Sequence, residues 1–357
     1  MAYLTFSKSK LKHNHDFLNS LLKKEEISWG VVTKLLCGYK DYLREVINLG
    51  ADEIHDSRIS NLETVKHINP DVQTVYIKPP AKRIIPKVVQ YADVSFNTEL
   101  STIKAISEEA ERQNKIHKVI IMIEMGDLRE GVLGEELVDF YSNVFQLPGI
   151  SIIGIGTNLN CLSGVMPNAD KLIQLTLYKQ IIELKFDRKI PWVSGGTSVT
   201  LPLYMTNQLP KGVNHFRIGE TLYFGKDLVT EEQIEGMQPD VFELFTEVIE
   251  LSEKPVVPSG EIGKNVMGES PEVDESRAGE TSYRAIIDIG QLDVDPKFLT
   301  PKNPDVEITG ASSDMLILDL GENKKDIKVG DQVSFKLEYM GVLSVMNSDY
   351  INKKVID

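Results

Sequence analysis

Lys34 closes ISWGVVTK (27–34), a short apolar, β-branched run that reads as a buried strand. A lysine in that place either reaches a water-filled mouth or is used chemically. Desolvation would lower its pKa and turn it into a nucleophilic amine. A surface lysine at a strand end fits the same stretch. Two turns add to it. In SGGTS, Gly195 and Gly196 let backbone approach an anion, and Ser194, Thr197 and Ser198 offer hydroxyls and N–H donors. In RIGE, Gly219 and Glu220 can donate backbone N–H groups, and Arg217 stands two residues before that turn. Either turn alone could be an ordinary tight turn. A phosphate site beside a buried strand-end amine, however, fits pyridoxal 5'-phosphate, whose aldehyde needs a lysine Schiff base.

The two arginines then have work to do. Pyridoxal enzymes set either an acid or an arginine against the ring nitrogen, and Arg217 would leave that nitrogen largely unprotonated. As a rim residue it would pair instead with Glu220. Arg129, in EMGDLREG, could hold a substrate carboxylate or the cofactor's phenolic oxygen by a bidentate fork. In an exposed turn it would pair with Glu124, Asp127 or Glu130.

These residues stand at the ends of β-rich runs that alternate with helical patterns. The runs are ISWGVVTK (27–34), ADEIHDS (51–57), VQTVYIK (72–78), ADVSFN (92–97), KVIIMIEMG (118–126), ISIIGIGTN (150–158), IPWVSGG (190–196) and NHFRIG (214–219). DYLREVINLG between two of them is expected to be a helix stopped by Gly50, and TELSTIKAISEEAERQ one capped by Thr98. Eight such units over about 225 residues predict a (β/α)8 barrel, which collects its chemistry at the C-terminal strand ends. Those ends also carry Asp56, Arg58, Asn97, Thr157 and Asn158. A doubly wound sheet is disfavoured by KLLCGYK, a first turn without GxGxxG. Beyond Gly225 the texture turns to β-like runs broken by Gly, Pro, Asn and Asp. The expected division is a barrel over 1–230 and a smaller, mainly β domain over 231–357, with a long acidic loop at PSGEIGKNVMGESPEVDESRAGE.

Composition narrows the partners. The chain has 39 Lys+Arg against 53 Asp+Glu, a net charge of −14, which disfavours nucleic acid and anionic membranes. No apolar run is long enough to span a bilayer, and no leader is recognised. Cys37 and Cys161 form no disulfide framework, and no metal cluster is read. A cytoplasmic, metal-free protein acting on a small molecule is expected.

The motifs GVVTKLLCG, EMGDLREG and RIGETLYFG, in this order, resemble the alanine-racemase-like (fold type III) pyridoxal-phosphate family, and VFELFTEVIEL and SSDMLILDL resemble its C-terminal β domain. Within it, EMGDLREG, SGGTS, GEIG and ASSDMLILDL are most similar to the ornithine racemase branch. The resemblance implies a homodimer with shared active sites, and racemisation of an amino acid by two proton carriers, with Lys34 on one face. The substrate it implies is ornithine or another basic amino acid.

The chain departs from the alanine racemase pattern in three places. The tyrosine expected in the β domain is replaced within GEIGKNVMG, so Lys264, Tyr283 and Asp314 are all candidates for the second proton carrier. Asp314 could instead meet a cationic substrate side chain, or cap the turn after Ser312 and Ser313. Asn158 stands where the family has a histidine over the cofactor ring. Gly38 takes the place of a tyrosine after the lysine. Other functions on this fold are a decarboxylase, which would put an acid at the ring nitrogen, and a non-catalytic cofactor carrier, which would lack the second domain. A lyase on D-hydroxyamino acids would need C-terminal metal ligands, and residues 231–357 contain no His or Cys.

Overall fold

The computed structural model describes residues 2–264 and 274–357. The chain forms two compact units. One holds Ser9–Pro239; the other joins the residues through Lys8 to Asp240–Asp357. This differs from a division at 230/231 in two ways: the boundary falls at Pro239/Asp240, and the N-terminal segment joins the second unit. Strand β1 (Tyr3–Ser7) pairs antiparallel with β11 (Phe242–Pro255) and parallel with β17 (Asn352–Ile356). It is a strand of the second unit because its alternation fits that sheet: Leu4 and Phe6 are fully buried, and Tyr3 stacks on Phe245 at 5.0 Å.

In the first unit, α1 (Lys8–Lys23) precedes the barrel. Then come β2 (Ser28–Val32), α2 (Lys40–Asn48), β3 (Glu53–Asp56), α3 (Ile59–Ile68), β4 (Gln73–Tyr76), α4 (Ile85–Tyr91), β5 (Val94–Asn97) and α5 (Leu100–Arg112). After them follow β6 (His117–Met122), α6 (Leu137–Val144), β7 (Ile150–Gly156), α7 (Ala169–Phe186), β8 (Trp192–Ser194), β9 (Gly196–Thr197), α8 (Leu201–Met205), β10 (His215–Ile218) and α9 (Glu220–Phe224). All eight expected strands are present. They run parallel in the order β8-β7-β6-β5-β4-β3-β2-β10-β9, so the last strand returns to the first. β8 and β9 are one expected strand interrupted at Gly195. The sheet closes there: β9 pairs with β10, and Asn214 donates its N–H to the Val193 carbonyl while its side-chain oxygen accepts the Val193 N–H.

The strands are short, apolar and alternating, which sends one set of residues inward and the other under the helices. Val75, Val94, Phe96, Ile120 and Met122 form one buried cluster. Gly50 ends the second helix as expected, with φ +76 and its N–H on the Ile47 carbonyl. Thr98 does not cap the fifth helix; Glu99 holds the cap position, with no side-chain capping bond. No helix among the described residues is long and apolar enough to cross a membrane.

The second unit is an eight-stranded, mostly antiparallel sheet built on the long strand β11. β12 (Thr281–Ile287), β13 (Leu299–Pro301), β14 (Glu307–Ala311), β15 (Leu316–Asp319) and β16 (Gln332–Leu337) complete it with β1 and β17, and α10 (Tyr339–Asn347) follows β16. β11 pairs with β16 along its first half and with β12 along its second, on either side of an irregularity at Val248/Glu250. Residues 265–273 of the expected acidic loop lie outside the described residues.

Barrel closure depends on one close approach. A Cβ at Gly196 would lie 2.1 Å from the Phe216 ring, across the β9–β10 pair. Gly196→Ala is expected to cost about 1–3 kcal/mol through overpacking. Thermal denaturation reads this out, and an unchanged midpoint would show that closure does not rest on that contact.

Candidate active site

Arg217 lies on β10 beside His215, on the face opposite Phe216 and Ile218. It is only 6% exposed. Its Nη1 donates to the carbonyl and to Oγ of Ser194, both at 2.7 Å, and its Nη2 donates to the Thr157 carbonyl at 2.8 Å. Its guanidinium carbon stands 5.3 Å from the Phe96 ring centre. These contacts tie β10 to the ends of β8 and β7. The alternative of a rim ion pair with Glu220 is not what forms, because the side chain turns inward. Among the described residues no carboxylate pairs with this guanidinium. Burial pulls it down to about 10, so it stays cationic at neutral pH.

The two phosphate-type turns are joined directly. The Ser198 hydroxyl is buried and accepts the N–H groups of Gly219 and Thr221 at 3.4 and 3.3 Å. Thr197 is half-buried, its hydroxyl 3.3 Å from that of Thr200. The glycines here serve packing. Gly195 leaves room for Leu172 and Leu175, Gly196 for Phe216, and Gly219 for Val32. Each of Gly195 and Gly196 thus also has a steric reason beside the expected approach to an anion. Glu220, half-buried, opens α9.

Lys34 opens a single 3-10 turn, Lys34–Leu36, just past β2, the strand that neighbours β10. Gly219 packs on Val32, so the lysine follows the strand that touches the second turn. The amine is not buried, contrary to the expectation. The turn gives the buried positions to Leu35 and Leu36 and leaves Lys34 exposed.

Arg129 forks onto Glu130, with its Nη2 2.5 Å from Oε1 and its Nε donating to Oε2. That carboxylate raises its pKa. Asn158 is half-buried, and its Nδ2 is buried with no hydrogen-bond partner. Asn97 bonds back to Ser95, on the face opposite Phe96, so it belongs under the helices and not to the mouth.

The candidates in the second unit differ in setting. Tyr283 sits on β12 between Gly321 and Leu320 backbone partners and is half-buried. Asp314 is exposed and accepts the Ser312 and Ser313 hydroxyls, which makes it a turn-capping residue in this structure. Lys264 is exposed.

Two carboxylates at strand ends hold loops. Asp56 accepts Thr33 Oγ1, Arg58 N and Asn61 Nδ2, and burial raises its pKa. Asp127 accepts four backbone N–H groups, from Cys161, Leu162, Ser163 and Val165, and so clasps the loop after β6 to the loop after β7. A buried trio, Glu53, His55 and His215, also lies in the barrel, with donor atoms within 4.8 Å of one another. The alternation E-x-H in ADEIHDS, inside an apolar strand, and H-x-R in NHFRIG were its signals. His13 and His15 stand two apart, but on α1 that spacing turns them to different sides. His13 bonds the Gly236 carbonyl and His15 is buried against Trp29.

The residues fit pyridoxal phosphate on this geometry. A buried amide N–H group without a partner at Asn158, a fixed buried cation at Arg217, and the Ser198 hydroxyl between the two turns suit a planar, anionic group. Lys34, Arg217, Asn158, Ser194, Thr197, Ser198, Gly219 and Glu220 are the residues that would hold it.

Burial alone would raise the Asp127 carboxyl, but its four N–H donors outweigh that and hold it below the usual range. Its folded value lies under its unfolded one, near 3.9. The clasp therefore contributes stability above about pH 4 and loses it as pH falls through the folded value. Asp127→Ala is expected to cost about 1–3 kcal/mol by leaving buried donors unpaired. Hydrogen exchange should show faster amides at Cys161–Val165, and protection that matches the unsubstituted protein would refute the clasp.

A family model for the N-terminal domain of alanine racemase matches residues 7–227. The chain is 37% identical over 354 residues to a protein named ornithine racemase from Acetoanaerobium sticklandii, covering 99% of each. It is 32% identical over 322 residues to one named lysine racemase from Thermotoga maritima, covering 90% of this chain and 89% of that one. Among solved structures, alanine racemase from Clostridium difficile 630 superposes with a TM-score of 0.76 at 16% identity, over 99% of this chain and 95% of that one. The match spans the barrel that carries Lys34 and Arg217 and, in the two racemases, nearly the whole chain, so this protein belongs to the alanine racemase family and is a pyridoxal-phosphate-dependent amino-acid racemase.

Proposed function

We propose that this racemase interconverts L- and D-ornithine, as a cytoplasmic homodimer. The observation that carries the reading is the full-length similarity to a protein named ornithine racemase, together with a site that departs from the alanine pattern at Asn158 and Gly38. Bound pyridoxal phosphate supplies an electron sink that makes the substrate's α-proton acidic. Lys34 holds the cofactor and carries a proton at Nζ on one face of the substrate. Its exposure and flexible stem suit a group that must move.

Arg217, held cationic at neutral pH, would present a hydrogen-bond donor to the cofactor's ring nitrogen and would not give up its proton to it. This moderates the sink and limits side reactions. Ser198, Thr197, Gly219 and Glu220 would hold the phosphate and Asn158 would face the ring, while Ser194 holds Arg217. Arg129 binds the substrate carboxylate or the phenolic oxygen after releasing Glu130. One amine fixed on one side of a plane does not reach both faces, so a second carrier is needed. It comes from the C-terminal unit, from Lys264, Tyr283 or Asp314, and is supplied across the dimer.

Incubation of the holoenzyme with single enantiomers of ornithine, lysine, alanine and serine is expected to give inversion with the highest kcat/KM for ornithine. Preference for alanine would refute the assignment. Borohydride reduction and peptide mapping should place the cofactor label on Lys34, and a label elsewhere would remove its role. Deuterium wash-in from each enantiomer separates the second carriers. Loss of the true one among Lys264→Ala, Tyr283→Phe and Asp314→Asn should spare α-proton exchange from one enantiomer and abolish inversion. Wild-type inversion by all three would place the carrier elsewhere.

A further inference from the structure

Below Arg217 the barrel holds a continuous chain of buried polar groups that the reaction does not touch. Arg217 Nη1 donates to Ser194 Oγ at 2.7 Å. Ser194 Oγ stands 2.6 Å from His215 Nδ1. His215 Nε2 stands 3.2 Å from Glu53 Oε2, and His55 Nε2 stands 3.0 Å from the same oxygen. The carboxylate and both rings are buried. Trp192 stacks on His215 at 4.2 Å and 12°, and a Cβ at Gly30 would lie 2.1 Å from His55 Nε2, so both rings are fixed in place.

Counting hydrogens gives the chain one direction. Ser194 Oγ accepts from Arg217, and among the described residues His215 Nδ1 is the acceptor within reach of its single hydrogen, so that hydrogen goes to Nδ1. That nitrogen is then bare, and the ring carries its hydrogen on Nε2, facing Glu53. His55 Nδ1 is buried with no partner, so a hydrogen there would be unsatisfied; its hydrogen also sits on Nε2. Glu53 therefore accepts from two neutral rings and must be ionised. We infer that Glu53 is a positioning residue for Arg217: through His215 and Ser194 it fixes the orientation of the Ser194 hydroxyl that receives the guanidinium, and it provides the buried negative charge at the other end of the chain.

The direction of the two shifts agrees with this. Burial pushes His215 down to about 4, and although burial alone would raise Glu53, its two ring donors carry it far below the usual carboxylate range. The same trio has the donor set of a transition-metal site. A metal on both Nε2 atoms would move the hydrogens to Nδ1, where His55 has no acceptor. The hydrogen-bonded arrangement is the one the surroundings satisfy.

The consequence for the cofactor rests on the proposal that Arg217 meets the ring nitrogen. The chain itself is tested without it. In holoenzyme labelled with 15N in its imidazoles, long-range 1H–15N spectra should show the Nε2–H tautomer, with Nδ1 bare, for both His55 and His215. A protonated Nδ1 on His215, or stoichiometric zinc bound by the rings, would overturn the inference even if no variant folds. Glu53→Gln places a donor beside the rings and should shift the tautomer of His215 or His55. In racemisation, Glu53→Gln and Ser194→Ala should each lower kcat about tenfold with little change in KM, and the double variant should be no worse than either, while Ser194→Thr restores activity. Unmoved tautomers with additive losses would refute the coupling. If instead Arg217→Gln leaves the absorbance of the bound cofactor unchanged while the tautomers are as stated, the ring-nitrogen role fails and the chain stands.

Discussion

A guanidinium buried without a touching carboxylate is the constraint around which the barrel mouth is arranged. Removing a cation from water costs several kcal/mol after relaxation, so every hydrogen bond it keeps matters. Arg217 keeps three, to two backbone carbonyls and one hydroxyl, and each comes from the end of another strand. Those acceptors exist only if β7 and β8 stop where they do. β8 stops because Gly195 interrupts it, and β9 resumes against β10 because Gly196 leaves space for Phe216. The charge and the closure of the barrel are thus coupled. A displaced β8 would strand the cation, and a missing cation would take the Nη2 donor from the Thr157 carbonyl and leave the Ser194 carbonyl with the Thr157 N–H alone.

The polar residues at the strand ends divide into those that hold the mouth and those left over for chemistry. Asp56 ties β2 to the start of α3, Asp127 clasps the loop after β6 to the one after β7, and Ser198 fastens the turn after β9 to the start of α9. Each accepts more than one donor and so fixes the spacing of the segments it joins. Loops held this way lose less entropy when a ligand binds, because the ordering cost is already met in the fold. What remains is a short set: an exposed amine, a fixed cation, an arginine whose carboxylate partner is its own chain neighbour, and an amide with a buried N–H group unpaired.

The barrel was legible because its signal is periodic and local. Apolar alternation marked all eight strands, and the residues at their ends came with it. Long-range facts were less legible. YLTFS gives no sign that it completes a sheet whose other strands lie more than two hundred residues away; that follows from register with β11 and β17. Nor could spacing show that Lys34 turns outward, since this depends on a 3-10 turn that hands the core positions to Leu35 and Leu36. The glycines of SGGTS were readable as glycines but not as to purpose, because the ring that requires Gly196 lies on another strand. Glu53, His55 and His215 could not be read as one cluster from spacing, because β3 and β10, far apart in the chain, set them side by side.

The chain gives opposite settings to its two principal cations, and their chemistry explains why. Arginine presents a rigid fork that stays charged in a dry place, whereas lysine is a point charge on a flexible stem that can lose and regain a proton. Arg217 is enclosed, tied by three bonds and set over an aromatic ring, so it can donate a hydrogen bond but has neither the freedom nor the acidity to act as an acid. Lys34 is left at a turn, exposed, on the strand next to it. Exchanging the two residue types would fail on both counts. A lysine at 217 could not reach the Ser194 and Thr157 carbonyls with one planar group, and burial would neutralise it. An arginine at 34 could not act as a nucleophilic amine. On the proposed roles, the barrel separates a charge that must not move from a proton that must, and it does so with neighbouring strands.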